Sequence, residues 1–310
     1  MGPIRLASWA GGAGALVGAA TAGYAHWEAR QYCLRELTVP VLPPGTAALR
    51  VLHLSDIHLV PSQRAKRDWL ASLAGLSPDL VVNTGDNLAH AESVPWLLDS
   101  LGPLLSVPGV FVLGSNDYFE PVLKNPLRYL GPDSGWRNTS SPELPWRHLA
   151  QSFVDSGWTD LTNSRATVEV AGRRLAFAGV DDPHLEYDDL ASVAGRADPT
   201  AEVRLAIAHA PYLRVLNQFA ADGYDAILAG HTHGGQVCMP WFGGAKALAT
   251  NCDLDRERAK GLHRHPADSR PGQPGSAWLH VSAGLGTSPY TRVRIACRPE
   301  ATLLTLIATA

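Results

Sequence analysis

Five short apolar runs, residues 50–54, 80–83, 110–113, 203–208 and 226–229, all lead into groups of one chemical kind. The first is followed by Asp56-Ile57-His58, the second by Gly85-Asp86-Asn87 and the third by Gly114-Ser115-Asn116-Asp117. The fourth ends at His209, and the fifth leads into Gly230-His231-Thr232-His233. Runs of this length suit strands buried in a sheet. Helical patterns at 64–76, 93–101 and 212–221 follow the first, second and fourth runs, and strand alternating with helix predicts an α/β sheet. The carboxyl ends of strands in such a sheet face one crevice, so residues far apart in sequence converge there.

A second set of strand-like segments, 167–170, 174–178, 278–281 and 302–307, alternates or lacks helical partners and suits antiparallel or mixed pairing. Two packed sheets are therefore expected, a four-layer α/β/β/α sandwich of two mixed sheets flanked by helices. Residues 118–145 and 263–275, rich in Pro, Gly and polar groups, are expected as loops. With 45% apolar and 18% charged residues the chain supports a sizeable core, and disorder is excluded. A net charge of -3 gives no positive field for nucleic acid, so any phosphate must be gripped locally. Four dispersed cysteines with no CxxC pair exclude a zinc ribbon and a thioredoxin-type motif.

Residues 6–25 carry no charge, and 20 helical residues at ~1.5 Å each could just cross a ~30 Å hydrocarbon core. Ala and Gly dominate this stretch, and Gly14 and Gly18 give a small-xxx-small spacing. A membrane anchor, a cleaved signal peptide ending at Ala20-Thr21-Ala22 and a soluble helix are the competing readings, with anchor or export signal preferred. The expected organisation is an N-terminal hydrophobic segment at 1–28, a Pro-rich linker at 29–48 and a catalytic domain at 49–310. A membrane-associated or exported protein follows, with the side of the membrane and the oligomeric state open.

The groups collected at the strand ends are carboxylate, imidazole and amide without thiolate, a set that suits Mn, Fe or Zn. The order D-x-H, G-D, G-[S]-N-D, H, G-H-x-H from Asp56 to His233 resembles the calcineurin-like metallophosphoesterases over residues 50–300. The tail, with Gly284-Leu285-Gly286, Arg292, Arg294 and Cys297-Arg298-Pro299-Glu300, is similar to the bacterial membrane-associated or exported branch. The resemblance implies two divalent ions, one held by Asp56, His58 and His233 and the other by His209 and His231, with Asp86 bridging them. Such paired ions activate a shared hydroxide for in-line attack on phosphorus.

The third motif departs from the family pattern: Ser115 and Asn116 stand where the family has Asn and His. Asn116 is the expected ligand, through a one-residue shift, with Ser115 as the alternative, and Asn116 and Asp117 are the candidate catalytic residues. Neither Ser nor Asn replaces histidine as an acid near neutral pH. The expected substrate is therefore a phosphodiester or pyrophosphate whose leaving group needs little protonation, lipid-linked or an envelope precursor if the N-terminus is an anchor. The alternative is a noncatalytic metal-binding scaffold with a degenerate third motif. Asn87 and Asp117 are candidates for orienting ligands. Asp181 and Asp182 ahead of His184 read as a solvated turn in preference to lining the substrate side of the crevice, and His53 as a core residue. Arg292 and Arg294 read either as phosphate contacts or as edge-strand decoration. The aromatic residues Tyr118, Phe119, Tyr129, Trp136 and Trp146 read as loop packing or a cap over the crevice.

Overall fold

A computed structural model of the chain describes residues 3–123, 135–242 and 244–309, with side chains from Leu16 onward and not at Gly244. Its elements in chain order are α1 (Pro3–Glu28), β1 (Cys33–Leu42), β2 (Leu49–Leu54), α2 (Arg64–Ser72), β3 (Leu80–Asn83), α3 (Ser93–Leu101), β4 (Gly109–Phe111), α4 (Ser115–Tyr118) and α5 (Trp146–Asp155). There follow β5 (Thr159–Asp160), β6 (Ser164–Val170), β7 (Arg173–Gly179), α6 (Leu190–Val193), β8 (Val203–Ala208), α7 (Leu213–Ala221) and β9 (Ala226–Ala229). The last are β10 (Cys238–Trp241), β11 (Gly244–Ala247), β12 (Gly261–His265), β13 (Ala277–Val281) and β14 (Glu300–Ala308).

One six-stranded sheet runs β1-β14-β2-β3-β4-β5 and the other β12-β13-β9-β8-β7-β6, with β10 and β11 forming a separate hairpin. Both sheets are mixed: β14 is antiparallel to β2, and β6 to β7, within otherwise largely parallel ladders. Val51, Val82 and Val110 of the first sheet pack against Phe177, Leu205 and Leu228 of the second, forming the layer between them. The other face of the first sheet is covered by α2, α3 and α5 through Leu70, Leu97 and Phe153. The second is covered by α7 through Val215, Leu216 and Phe219. This is the expected α/β/β/α sandwich, and the continuous apolar runs are explained because the central strands are buried on both faces.

Two expectations are corrected. Residues 33–42, placed within a linker, form β1, which pairs in parallel with β14 from Cys33↔Glu300 onward. Pro40 hid it: proline suits an edge strand, where no ladder donor is required, and β1 is an edge. The hairpin of β10 and β11 was not foreseen, and β12 occupies the start of the expected loop at 263–275. The charge-free N-terminal stretch lies within α1, yet among the described residues no helix is long and apolar enough to cross a membrane. Tyr129 lies outside the described residues.

Candidate metal centre

The loops that leave β2, β3, β4, β8 and β9 deliver the polar motifs to one place where the two sheets meet. Asp56, His58, Asp86 and His233 each offer a ligand atom, and these atoms lie within 4.8 Å of one another. On the other side of Asp86, His209 Nε2 is 3.4 Å from Asp86 Oδ1 and 3.1 Å from His231 Nδ1. His58 Nε2 reaches Asp86 Oδ2 at 3.3 Å, so Asp86 lies between the two groups. Asp56 Oδ1 and Oδ2 accept the backbone N–H of His231 at 3.1 and 3.0 Å, which joins the first and last motifs directly.

The backbone is unusual here. Asp56, His58, Asp86, His231 and His233 all have positive φ, between 43° and 68°. Each such residue costs of order 1–3 kcal/mol and persists only where the surroundings hold it, and a cluster of them marks a functional site. Two glycines permit the close approach. A Cβ on Gly114 would lie 2.7 Å from the His209 ring, and one on Gly230 2.6 Å from Asp56 Oδ2.

The second ring of contacts fixes which nitrogen of each histidine faces inward. His209 Nδ1 lies 2.7 Å from the carbonyl of Thr84, and His233 Nδ1 3.1 Å from that of Gly286. Donation to those carbonyls turns both Nε2 atoms toward the carboxylates, where His233 presents a lone pair and His209 does so once its ring is neutral. Asp117 accepts backbone N–H groups of Gly114, Asp86, Asn87 and Leu88. Its carboxylate holds the β3 turn against the β4 turn and so positions Asp86, in keeping with the reading of Asp117 as a group that orients ligands. Asn116 meets Asp86 twice, through its backbone N–H and its side-chain amide nitrogen, both at 2.7 Å. Ser115 Oγ contacts only that amide, at 3.5 Å, so of the two alternatives in the third motif it is Asn116 that sits against the site.

Burial dominates the electrostatics. It pushes His58 down to about 4 and holds His231 and His233 well below the usual imidazole range, so all three are neutral with available lone pairs. Burial also lifts Asp56 to about 6, opposed by His209 and assisted by Asp86. For Asp86 burial is outweighed by the neighbouring His209, and its carboxyl stays well below the usual range while His209 is held well above. Both ring nitrogens of His58, His231 Nε2 and Asp182 Oδ2 are buried without a hydrogen-bond partner. Inward lone pairs, two carboxylates and orphaned buried acceptors together are the donor set a divalent cation requires.

Sequence reasoning missed three contributors. Asp182, read as solvated, is fully buried, and His184 brings its ring centroid 4.4 Å from that of His231. His184 is held by Nδ1 against Tyr212 Oη at 3.1 Å and by Arg137, which donates to its carbonyl. Beyond it opens a polar cavity of about 350 Å³ lined by Arg137, Pro183, Glu186, Asp188, Tyr212 and Arg214. Lys66 is buried on α2 and donates to the carbonyls of Ile57 at 2.7 Å and His58 at 3.2 Å, fixing the first motif. Only the Asp-Pro-His spacing after a strand hinted at any of these. Arg294 is fully buried and binds backbone carbonyls, so it is not a phosphate contact. His53 is the expected core histidine, 2.8 Å from His280 and 2.9 Å from Thr84.

Residues 49–235, more than half of the chain, match the calcineurin-like phosphoesterase family. The chain belongs to that family. Like other calcineurin-like phosphoesterases it is a phosphoric ester hydrolase, which sets aside the noncatalytic scaffold. It is 26% identical over 292 residues to the UDP-2,3-diacylglucosamine pyrophosphatase LpxG of Chlamydia trachomatis, covering 83% of each chain. It is also 26% identical over 264 residues to the uncharacterized metallophosphoesterase YkoQ of Bacillus subtilis, covering 84% of each chain. With the phosphodiesterase YaeI of Escherichia coli it shares 24% identity over 295 residues and 92% of each chain.

Proposed function

We propose that the protein is a dinuclear metal-dependent phosphoesterase that hydrolyses a phosphodiester or pyrophosphate bond. The observation that carries this is the position of Asp86 between two groups of inward-facing ligands, Asp56, His58 and His233 on one side and His209 and His231 on the other. Asn116 completes the second group if its amide presents oxygen in place of nitrogen, a half-turn of the same side chain. When bound, Mn, Fe or Zn would supply Lewis acidity and activate water for in-line displacement at phosphorus.

The chain's own residues do the rest. Asp117 holds Asp86 in place, Lys66 holds the turn of Asp56 and His58, and the carbonyls of Thr84 and Gly286 set the His209 and His233 tautomers. The third motif offers no imidazole. His184, half-buried against His231 and held by Nδ1 on Tyr212 of the cavity wall, is the imidazole we assign to hydrogen-bond a departing oxygen. The cavity lining of Arg137, Tyr212, Glu186 and an Arg214 already paired with Asp188 is polar without net positive charge and suits a hydroxyl-bearing leaving half such as a sugar. Relatives named as a pyrophosphatase of a diacylated nucleotide sugar and as a phosphodiesterase support this substrate class, and a lipid-linked or envelope precursor is the version we favour.

The test is to strip the full chain of metal, reload it with Mn, Fe or Zn, and compare an aryl phosphodiester and a pyrophosphate diester with an alkyl phosphomonoester. Two ions per chain and faster turnover of the first two substrates are expected. One ion per chain, or preference for the alkyl monoester, overturns the reading.

A further inference from the structure

We infer that the β10–β11 hairpin is a bilayer-docking finger that, together with α1, seats the metal centre at a membrane surface without spanning it. At the hairpin's turn Phe242 is 100% exposed and Trp241 57%, with Met239 also exposed on the same strand. Two adjacent exposed aromatic side chains leave water only when another surface closes over them.

The hairpin is built onto the metal loop. Cys238 Sγ contacts the carbonyl of Gly234 at 3.2 Å, and a Cβ on Gly235 would collide with Ala247. It is also tied to α1 through one extended segment. Ile295 pairs with Val237, and its carbonyl accepts from Cys238 at 2.8 Å. The neighbours of Ile295 turn the other way: the Arg294 N–H binds the carbonyl of Ala25, and the N–H groups of Ala296 and Cys297 bind the Glu28 carboxylate. Residues 294–297 therefore carry the hairpin on one edge and the end of α1 on the other. That helix exposes Leu16, Val17, Tyr24 and Trp27.

Charge and chemistry select a lipid surface as the occupant. Arg30 and Arg298 are exposed beside the end of α1, where Glu28 is buried on backbone amides, while Lys246 on the hairpin is paired with Glu257 and adds no net charge. Lys246 Nζ lies 5.5 Å from the Trp241 ring, so an ammonium accompanies the aromatic finger as at a headgroup boundary. The basic residues beside the end of α1 are complementary to anionic lipid, and each cation near such a surface adds to binding. The charge-free sequence at 6–25 continues the same apolar character away from the site. The part of this inference that concerns substrate, an amphiphilic phosphate ester presented at the bilayer, rests on the proposed function; the docking itself does not.

The experiment is co-sedimentation of the full chain with vesicles of phosphatidylglycerol and phosphatidylcholine, and with phosphatidylcholine alone. Three proteins are compared: wild type, the double variant Trp241→Ser with Phe242→Ser, and the conservative double variant Trp241→Phe with Phe242→Leu. Wild type should bind the anionic vesicles more strongly, the serine variant about tenfold more weakly than wild type, and the conservative variant close to wild type. Unaltered binding of the serine variant overturns the finger. A lipid-free dimer of wild type that the serine variant loses makes a second copy the occupant and overturns the bilayer. Because sedimentation needs no turnover, a protein that docks through the finger but cleaves no phosphate ester refutes the proposed function alone.

Discussion

Asp86 touches His58, His209 and Asn116 with its two oxygens, at 3.3, 3.4 and 2.7 Å. An asparagine there keeps the volume and removes the charge that the proposed function sets between two cations. Asp86→Asn should lower metal-dependent hydrolysis of an aryl phosphodiester by about a thousandfold, with the circular dichroism spectrum retained; a wild-type rate contradicts the bridging role. Gly230→Ala probes crowding, since its new methyl would press on Ser55 and Asp56. A cost of ~1–3 kcal/mol is expected, read as a lower unfolding midpoint together with weaker metal binding. The ligand set was legible in the sequence because each group follows directly on an apolar strand, so order along the chain translated into proximity. Asp182, His184 and Lys66 were not legible. The first two lie in a loop whose polar composition matches any solvated turn, and the third is a lysine on an amphipathic helix whose burial depends on carbonyls elsewhere. Asp117 carried two readings, catalytic and orienting, because a carboxylate beside a metal motif serves equally to bind cations or to gather backbone amides, and its four backbone partners are visible only in the fold.

At the scale of elements, the segment after residue 290 acts as a clasp. Arg294 reaches the carbonyls of Ala283, Gly284, Gly286, Cys297 and His233, at 2.7 to 3.4 Å. It thereby ties the loop after β13 to the loop after β9, which carries His231 and His233. Arg294→Met keeps the stem and deletes every one of these bonds, leaving buried carbonyls unsatisfied. A loss of about 3 kcal/mol or more in stability is expected, and chelator competition should register weaker metal affinity. If both measurements match wild type, Arg294 is not the clasp. The central strands could be read from their apolar runs because burial on both faces removes alternation. β1 could not, since an edge strand with exposed Arg35, Glu36 and Thr38 and a proline carries little of that signal. The hairpin of β10 and β11 escaped for a related reason: it stands outside both sheets, so nothing in its sequence needed to match a core.

For the whole molecule, the metal centre is also a seam. Asp56, His58, Asp86 and Asn116 come from the first sheet's loops, and His209, His231 and His233 from the second's. Ions held by both sets would join the two sheets at one end, so binding is coupled to folding. At free metal about a hundredfold above Kd each ion adds ~2.7 kcal/mol, and loading should raise the unfolding midpoint by about 5 °C or more. A chelator should reverse the gain. Its pH dependence has a definite sign. His209 is held well above its usual range and Asp56 is raised to about 6, so in the metal-free protein a cation must displace the His209 proton near pH 7 and an Asp56 proton as well once the pH falls below about 6. His58, His231 and His233 are already neutral near pH 7 and cost no proton there. The gain on loading should therefore be largest above pH ~7 and shrink as the pH falls through 6, with proton release on binding measurable by calorimetry in buffers of different ionisation enthalpy. A midpoint indifferent to chelator, or a gain that grows on acidification, would show that the seam is held by protein contacts alone.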